Sequence, residues 1–184
     1  MCPPLLLFLL YSKSGYNQKE KIHARPLCYA KMLAATLLPS TVTNSYRGSP
    51  VSKAVFAAMT VLTIGRSLAH IFLKDGGSRS IATIPLDRYQ PEASDTIISM
   101  FALWGLSQLL MGFVYLLVLW RYQSLIPLMW LFVLVEWSGR LMVGICKPTI
   151  ETIETPPGAV GNVVIPILSI IMLPLSLRKE AKNF

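Results

Sequence analysis

Glu136 and Arg140 stand four residues apart inside an otherwise apolar run, and Arg66 and His70 repeat that spacing in another. Residues four apart share one helix face, and a glutamate N-terminal to an arginine is the favourable order for an ion pair. A charge at the bilayer centre costs about 2.5–3.5 kcal/mol on insertion scales, so such groups are expected to face a protein interior and to compensate one another. Gln108 lies on a stripe with Trp104, Gly112 and Tyr115, and Asn162 near the start of the last apolar run can point the same way. Arg66 and Glu136 each lie about 12 residues into their runs, hence at similar depth at ~1.5 Å per residue, and His70 matches Arg140 further out. Arg66, His70, Gln108, Glu136, Arg140 and Asn162 are therefore the candidate site, one intramembrane polar cluster.

Charge counting gives this cluster its chemistry. With His70 neutral, two arginines face one glutamate and a positive charge is left over. A second carboxylate from Asp87, Glu92 or Asp95, an anionic ligand or a lipid headgroup would balance it. Two readings follow: a structural clasp that fixes helix register, or a pocket binding an anion or proton in a small transporter or channel-like protein. A contact with a partner protein is a third use of the same residues.

The elements that must position these residues are four apolar runs, at 54–73, 96–120, 124–145 and 159–177. Each approaches the roughly 20 residues a helix needs to cross about 30 Å of hydrocarbon. Barrel strands would alternate apolar and polar, whereas these runs are apolar at consecutive positions, which selects helices. Arg121-Tyr122-Gln123 is so short that the second and third helices are expected to form an antiparallel hairpin. Asp75-Gly76-Gly77 signals a turn, Pro156-Pro157-Gly158 separates the last two helices, and Pro166 and Pro174 remove backbone donors from the fourth. The expected fold is all-α, an integral membrane four-helix antiparallel bundle over residues 51–178.

Composition agrees. Only 14% of the 184 residues are charged and 53% are hydrophobic, against about a quarter charged in soluble domains. The net charge of +8 comes without a basic patch, interleaved aromatics or a nucleic-acid motif, so lipid rather than nucleic acid is the expected environment. Arg47, Lys53, Arg121, Arg178, Lys179 and Lys182 fall on one side. Lys74, Arg79, Arg88 and Lys147 are diluted along longer loops on the other. The positive-inside rule then places both termini in the cytoplasm, in a cell membrane.

Residues 1–50 read as a basic tail, poorly ordered or an extension upstream of a start at Met32 or Val51. Pro3–Tyr11 is too short to span, and 27–38 can form an interfacial helix. Residues 179–184 form a basic C-terminal tail. Alanine and glycine pairs at Ala54 and Ala58, and at Gly65 and Ala69, allow close helix approach within the chain or between chains. The four tryptophans read as belt or packing residues.

Several chemistries lack their signature. Cys2, Cys28 and Cys146 form no CxxC or Cys/His ligand spacing. There is no HExxH, GxSxG or phosphate loop, no histidine pair for haem and no Glu-x-x-His pair for a di-metal bundle. No metal or cofactor is expected, and nothing requires an enzyme. The span count, the short Arg121-Tyr122-Gln123 connection and the intramembrane Arg66 and Arg140 resemble small bacterial four-span proteins of the DoxX-like kind, over Ala54 to Leu177. The resemblance implies architecture alone. Some relatives in that grouping are linked to redox or stress partners, whereas this chain carries no cysteine pair. The function expected is a structural or interaction component of a membrane complex, with a membrane-protein partner or a second copy of itself.

Overall fold

A computed structural model describes residues 33–147 and 150–178. The chain divides into two units, Met1–Ser40 and Thr41–Phe184. Of the first, residues 33–37 are helical. The rest of the expected interfacial helix, the apolar Pro3–Tyr11 segment and the tail at 179–184 lie outside the described residues.

The second unit is all-helical among the described residues. Its elements are α1 (Pro50–Phe72), α2 (Pro91–Arg121), α3 (Ile126–Cys146) and α4 (Pro157–Leu177), with 3-10 turns at Leu86–Arg88 and Gln123–Leu125. All four helices carry a proline in their first two positions, where its fixed φ suits the helix and no intrahelical donor is lost. α2 starts five residues before the apolar run because Pro91 nucleates a turn over polar residues that hydropathy does not mark. Each helix is long and apolar enough to cross a membrane, and most of each apolar window stays on the outside of the chain. That is the composition of a multi-pass membrane protein in lipid.

The core is narrow. Phe56 and Met59 of α1, Tyr115 and Val118 of α2, Ile126, Met129, Trp130, Val133 and Trp137 of α3, and Ile165 of α4 form one buried cluster. Phe56 packs edge-on to Tyr115 at 5.3 Å and tilted against Trp130 at 5.7 Å between centroids. Helix pairing is uneven: α1 packs mainly on α2 and α3 mainly on α4, whereas the backbones of α2 and α3 come close at few points.

Glycines permit the tight pairings. A Cβ on Gly105 would lie 2.6 Å from His70 Cβ, one on Gly112 2.8 Å from Ile64 Cγ1, and one on Gly161 2.7 Å from the Trp137 ring. Of the small residues expected to allow close approach within the chain or between chains, Ala54, Ala58 and Gly65 are exposed, and a Cβ on Gly65 would meet nothing within 4 Å inside the chain.

Both ends are tied. At one end Ser124 N–H donates to Thr43 O (3.1 Å), Thr43 N–H to Ser124 Oγ (3.0 Å), Ser49 N–H to Leu175 O (3.1 Å) and Lys53 Nζ to Gln123 Oε1 (2.7 Å). Tyr46 packs on the core. Thr43–Ser49, read from sequence as tail, thus belong to the helical unit. They are polar, so hydropathy passes over them, and the backbone bonds that hold them are invisible to it. At the other end Ile153 N–H donates to Thr83 O (2.8 Å), Thr83 Oγ1–H to Glu154 O (2.7 Å), and Arg88 pairs with Glu151.

Candidate functional site

The site is built where α1, α2 and α3 present long polar side chains at one level. On α1, Arg66 sits one turn before His70, and the buried positions Phe56, Met59, Thr60, Ser67 and His70 define the inward face they border. On α2, the stripe Trp104, Gln108, Gly112 and Tyr115 runs along α1: Gly112 meets Ile64 and Tyr115 meets Phe56. On α3, Glu136 and Arg140 flank Trp137, itself packed on Gly161 of α4.

Four of these side chains form one hydrogen-bonded chain. Arg66 Nη2 donates to Gln108 Oε1 at 2.8 Å, and Gln108 Nε2 donates to Glu136 Oε1 at 2.8 Å. The same Glu136 oxygen accepts from Arg140 Nη2 at 2.7 Å and Nε at 3.2 Å. The Glu136–Arg140 pair is largely buried within the chain, with 27% and 21% of the side chains exposed. Charge-assisted bonds of this kind are about twice as strong as neutral ones.

Two indoles bracket the cations. Arg66 Cζ lies 5.0 Å from the Trp104 ring centre and 5.3 Å from that of Trp137; Arg140 Cζ lies 4.7 and 5.0 Å from the same two rings. Cation–π attraction at such distances contributes about 0.5–2 kcal/mol per pair, more where water is excluded. Of the four tryptophans read from sequence as belt or packing residues, Trp104 and Trp137 thus also flank the cluster, while Trp130 packs in the core and Trp120 is exposed. The signal was in the spacing, since Trp104 precedes Gln108 by one turn and Trp137 abuts Glu136.

His70 joins at the edge. Its ring is 4.9 Å from Trp104 and 5.6 Å from Phe101. Its Nδ1 lies 2.8 Å from Gly76 O, and a carbonyl accepts only, which assigns the proton to Nδ1. The turn that delivers this carbonyl needs left-handed backbone at Gly76 (φ +58°) and Gly77 (φ +72°), where glycine carries no Cβ strain. Gly77 is doubly required, since a Cβ there would lie 2.7 Å from His70 Nδ1. Asp75 holds the turn from outside the spans: Oδ1 accepts from Gly77 N–H (3.0 Å), and Oδ2 from Arg79 N–H (3.1 Å) and Ser80 N–H (2.6 Å). Desolvation alone would raise its pKa, but the amides of Ser80 and Gly77 outweigh it and hold the carboxyl below its ordinary value.

Asn162 is half-buried on α4 and takes part in none of these bonds; its neighbour Gly161 makes the α4 contact. Pro166, four residues on, has no N–H to give the Asn162 carbonyl. The loop carboxylates considered as balancing charges are placed elsewhere. Asp87 lies 3.9 Å from Arg79, and Glu92 and Asp95 stand in the first turns of α2, about four helical turns from Gln108.

No protein-family profile, curated protein or solved structure matches this chain. The reading of the site therefore rests on its geometry. Among the described residues no group of three or more metal-ligating side chains comes together.

Proposed function

We propose that the protein is a structural or interaction component of a membrane complex, folded as an antiparallel four-helix bundle with both termini in the cytoplasm of a cell membrane. The observation that carries this reading is the outer face of α1, where Ala54, Ala58 and Gly65 are exposed at helical spacing beside Val61 and Leu62. Small residues let a second helix approach closely, which is the main source of helix association where lipid is as apolar as the side chains. The Arg66–Gln108–Glu136–Arg140 chain is the internal clasp that keeps α1 in register with α2 and α3. Orientation rests on the cations. Arg47, Lys53, Arg121 and Arg178 cluster at the hairpin end, whereas Arg79 and Arg88 at the other end have acidic neighbours in Asp87 and Glu151. A DoxX-like affiliation belongs to this proposal as layout only.

The test is the assembly state in native-lipid discs. Single-molecule photobleaching of a labelled full-length chain, beside a cysteine cross-link at position 58, is expected to show a second copy or a defined partner seated on α1. Gly65→Leu is expected to remove that species while leaving the melting temperature of the chain intact. A monomer with no cross-linked neighbour in both proteins would sink the reading.

A second reading, transport of an anion, is favoured by one observation: the cluster holds two cations and one carboxylate, and Arg66 bonds only to the neutral Gln108.

A further inference from the structure

We infer that Arg66 and Arg140 form a binding site for an oxyanion group, a phosphate or carboxylate, beside Trp104 and Trp137. The inference goes beyond the clasp but rests on the same four-residue chain. The first argument is charge. Arginine stays protonated under all ordinary conditions. Glu136 spends its bonded oxygen on Arg140 and on the neutral Gln108, while Arg66 has only the Gln108 carbonyl as hydrogen-bond acceptor among the described residues. The unmatched charge therefore sits on Arg66.

The second argument is donor count. A guanidinium offers five N–H groups in a planar fork. Arg66 uses Nη2, and Arg140 uses Nε and Nη2, so both forks keep N–H groups without an acceptor among the described residues. Cation–π contact lowers the energy of a guanidinium without using an N–H as a hydrogen-bond donor to an acceptor atom. The two indoles beside the two guanidinia thus leave the unbonded N–H edges available to a ligand. Bidentate recognition by such edges suits a planar carboxylate or a phosphate better than a halide.

The third argument is position. Arg66 and Arg140 each lie six residues before the end of their helices, roughly 9 Å along the axis at ~1.5 Å per residue, and at the end where the long loops lie. That depth is shallow enough for a dissolved anion to enter and for the phosphate of an anionic lipid to be drawn down.

The experiment uses the full chain in nanodiscs of zwitterionic phosphatidylcholine, melted during a potassium phosphate titration at ionic strength held constant with potassium chloride. A second set of discs contains phosphatidylglycerol and no phosphate. Phosphate at about ten times its Kd is expected to raise the melting temperature by roughly 3 °C, and Arg66→Gln to abolish the rise. A rise with phosphate identifies a free anion as the source; a rise only with phosphatidylglycerol identifies a lipid headgroup. Should Arg66→Gln fail to fold, the half-saturating phosphate concentration decides. It is expected to increase from Glu136→Gln, through the parent, to Arg66→Lys. No rise in either disc, an equal rise in Arg66→Gln, or a half-saturation indifferent to those two substitutions overturns the site. The clasp is tested separately by stability without phosphate, so either idea can fail alone.

Discussion

Gln108 donates from α2 to Glu136 on α3 at 2.8 Å, across a helix pair whose backbones otherwise come close at few points. The short Arg121-Tyr122-Gln123 connection brings these helices together at one end, and this amide, with the contact of Arg140 on Trp104, bridges them at the level of the charges.

Removing that bridge is expected to be costly. Gln108→Leu takes the acceptor from Arg66 and a donor from Glu136, and hydrogen bonds to charged groups contribute about 1.5–3 kcal/mol each. Equilibrium unfolding in mixed micelles should show a loss of about 2 kcal/mol, below the full sum because the freed groups can rebond to other donors and acceptors in the partly exposed cluster. A loss under about 0.5 kcal/mol would mean that the bridge carries no load.

The Glu136–Arg140 pair calls for a double-mutant cycle. Glu136→Gln and Arg140→Gln are each expected to destabilise, the former more because it leaves two cations without an anion. The double variant should lose less than the sum of the two. Strict additivity would show that the 2.7 Å contact contributes nothing to the fold.

The glycines give a contrast within one protein. Gly105→Val places a side chain against His70 Cβ and the Ser67 carbonyl and is expected to cost about 1–3 kcal/mol or more. Gly65→Ala meets nothing within 4 Å and replaces the poorer helix former, so it should be neutral or stabilising by up to about 1 kcal/mol. Thermal melts of the two variants decide; a reversed order would contradict the α1–α2 packing.

Acid should loosen the turn beneath His70. The Asp75 pKa is held below its ordinary value of 3.8 in the folded chain, so the carboxylate's stabilising effect is complete above that value and lost as pH falls through the lowered one. Hydrogen exchange at the Gly77 and Ser80 amides, corrected for intrinsic pH effects, should lose protection below pH 3.8 in the parent. Asp75→Asn should show reduced protection at neutral pH and little further change on acidification.

Truncation locates the edge of the helical unit. Deleting residues 1–40 leaves Thr43–Ser49 in place, whereas deleting 1–50 removes three backbone-donated bonds to Ser124, Thr43 and Leu175 and the packing of Tyr46. At about 1 kcal/mol per bond the second truncation should melt several degrees below the first. Equal melting temperatures would show those contacts to be inert.

Much of this was legible in the residues before any coordinates. Four apolar runs mark four helices, and the four-residue spacings of Arg66/His70 and Glu136/Arg140 mark shared faces. The expected equal depth of Arg66 and Glu136 is offset by the observed helix bounds, since Arg66 lies six residues before the end of α1 and Glu136 ten before the end of α3, and Gln108 joins them across that offset. What resisted reading was anything set by packing partners. The longest connection, between α1 and α2, joins the most closely packed pair, because Gly105 and Gly112 let the backbones meet; loop length carries no such information. Trp104 and Trp137 have the composition of belt residues, and only the direction each indole points separates a belt from a bracket around two cations. Ala54, Ala58 and Gly65 have the spacing of a packing face, yet Gly105, Gly112 and Gly161 do the packing, since small residues serve either side of a helix equally well.

The order of atoms in the chain from Arg66 to Glu136 has an electrical consequence. Gln108 offers oxygen to the cation and nitrogen to the anion; turned over, it would oppose donor to donor and acceptor to acceptor. Its amide is therefore keyed to one direction. An amide neither takes up nor releases a proton at ordinary pH, and a guanidinium does not let one go. The four side chains thus form an insulated wire: they fix a dipole across three helices, but no proton can hop from one end to the other.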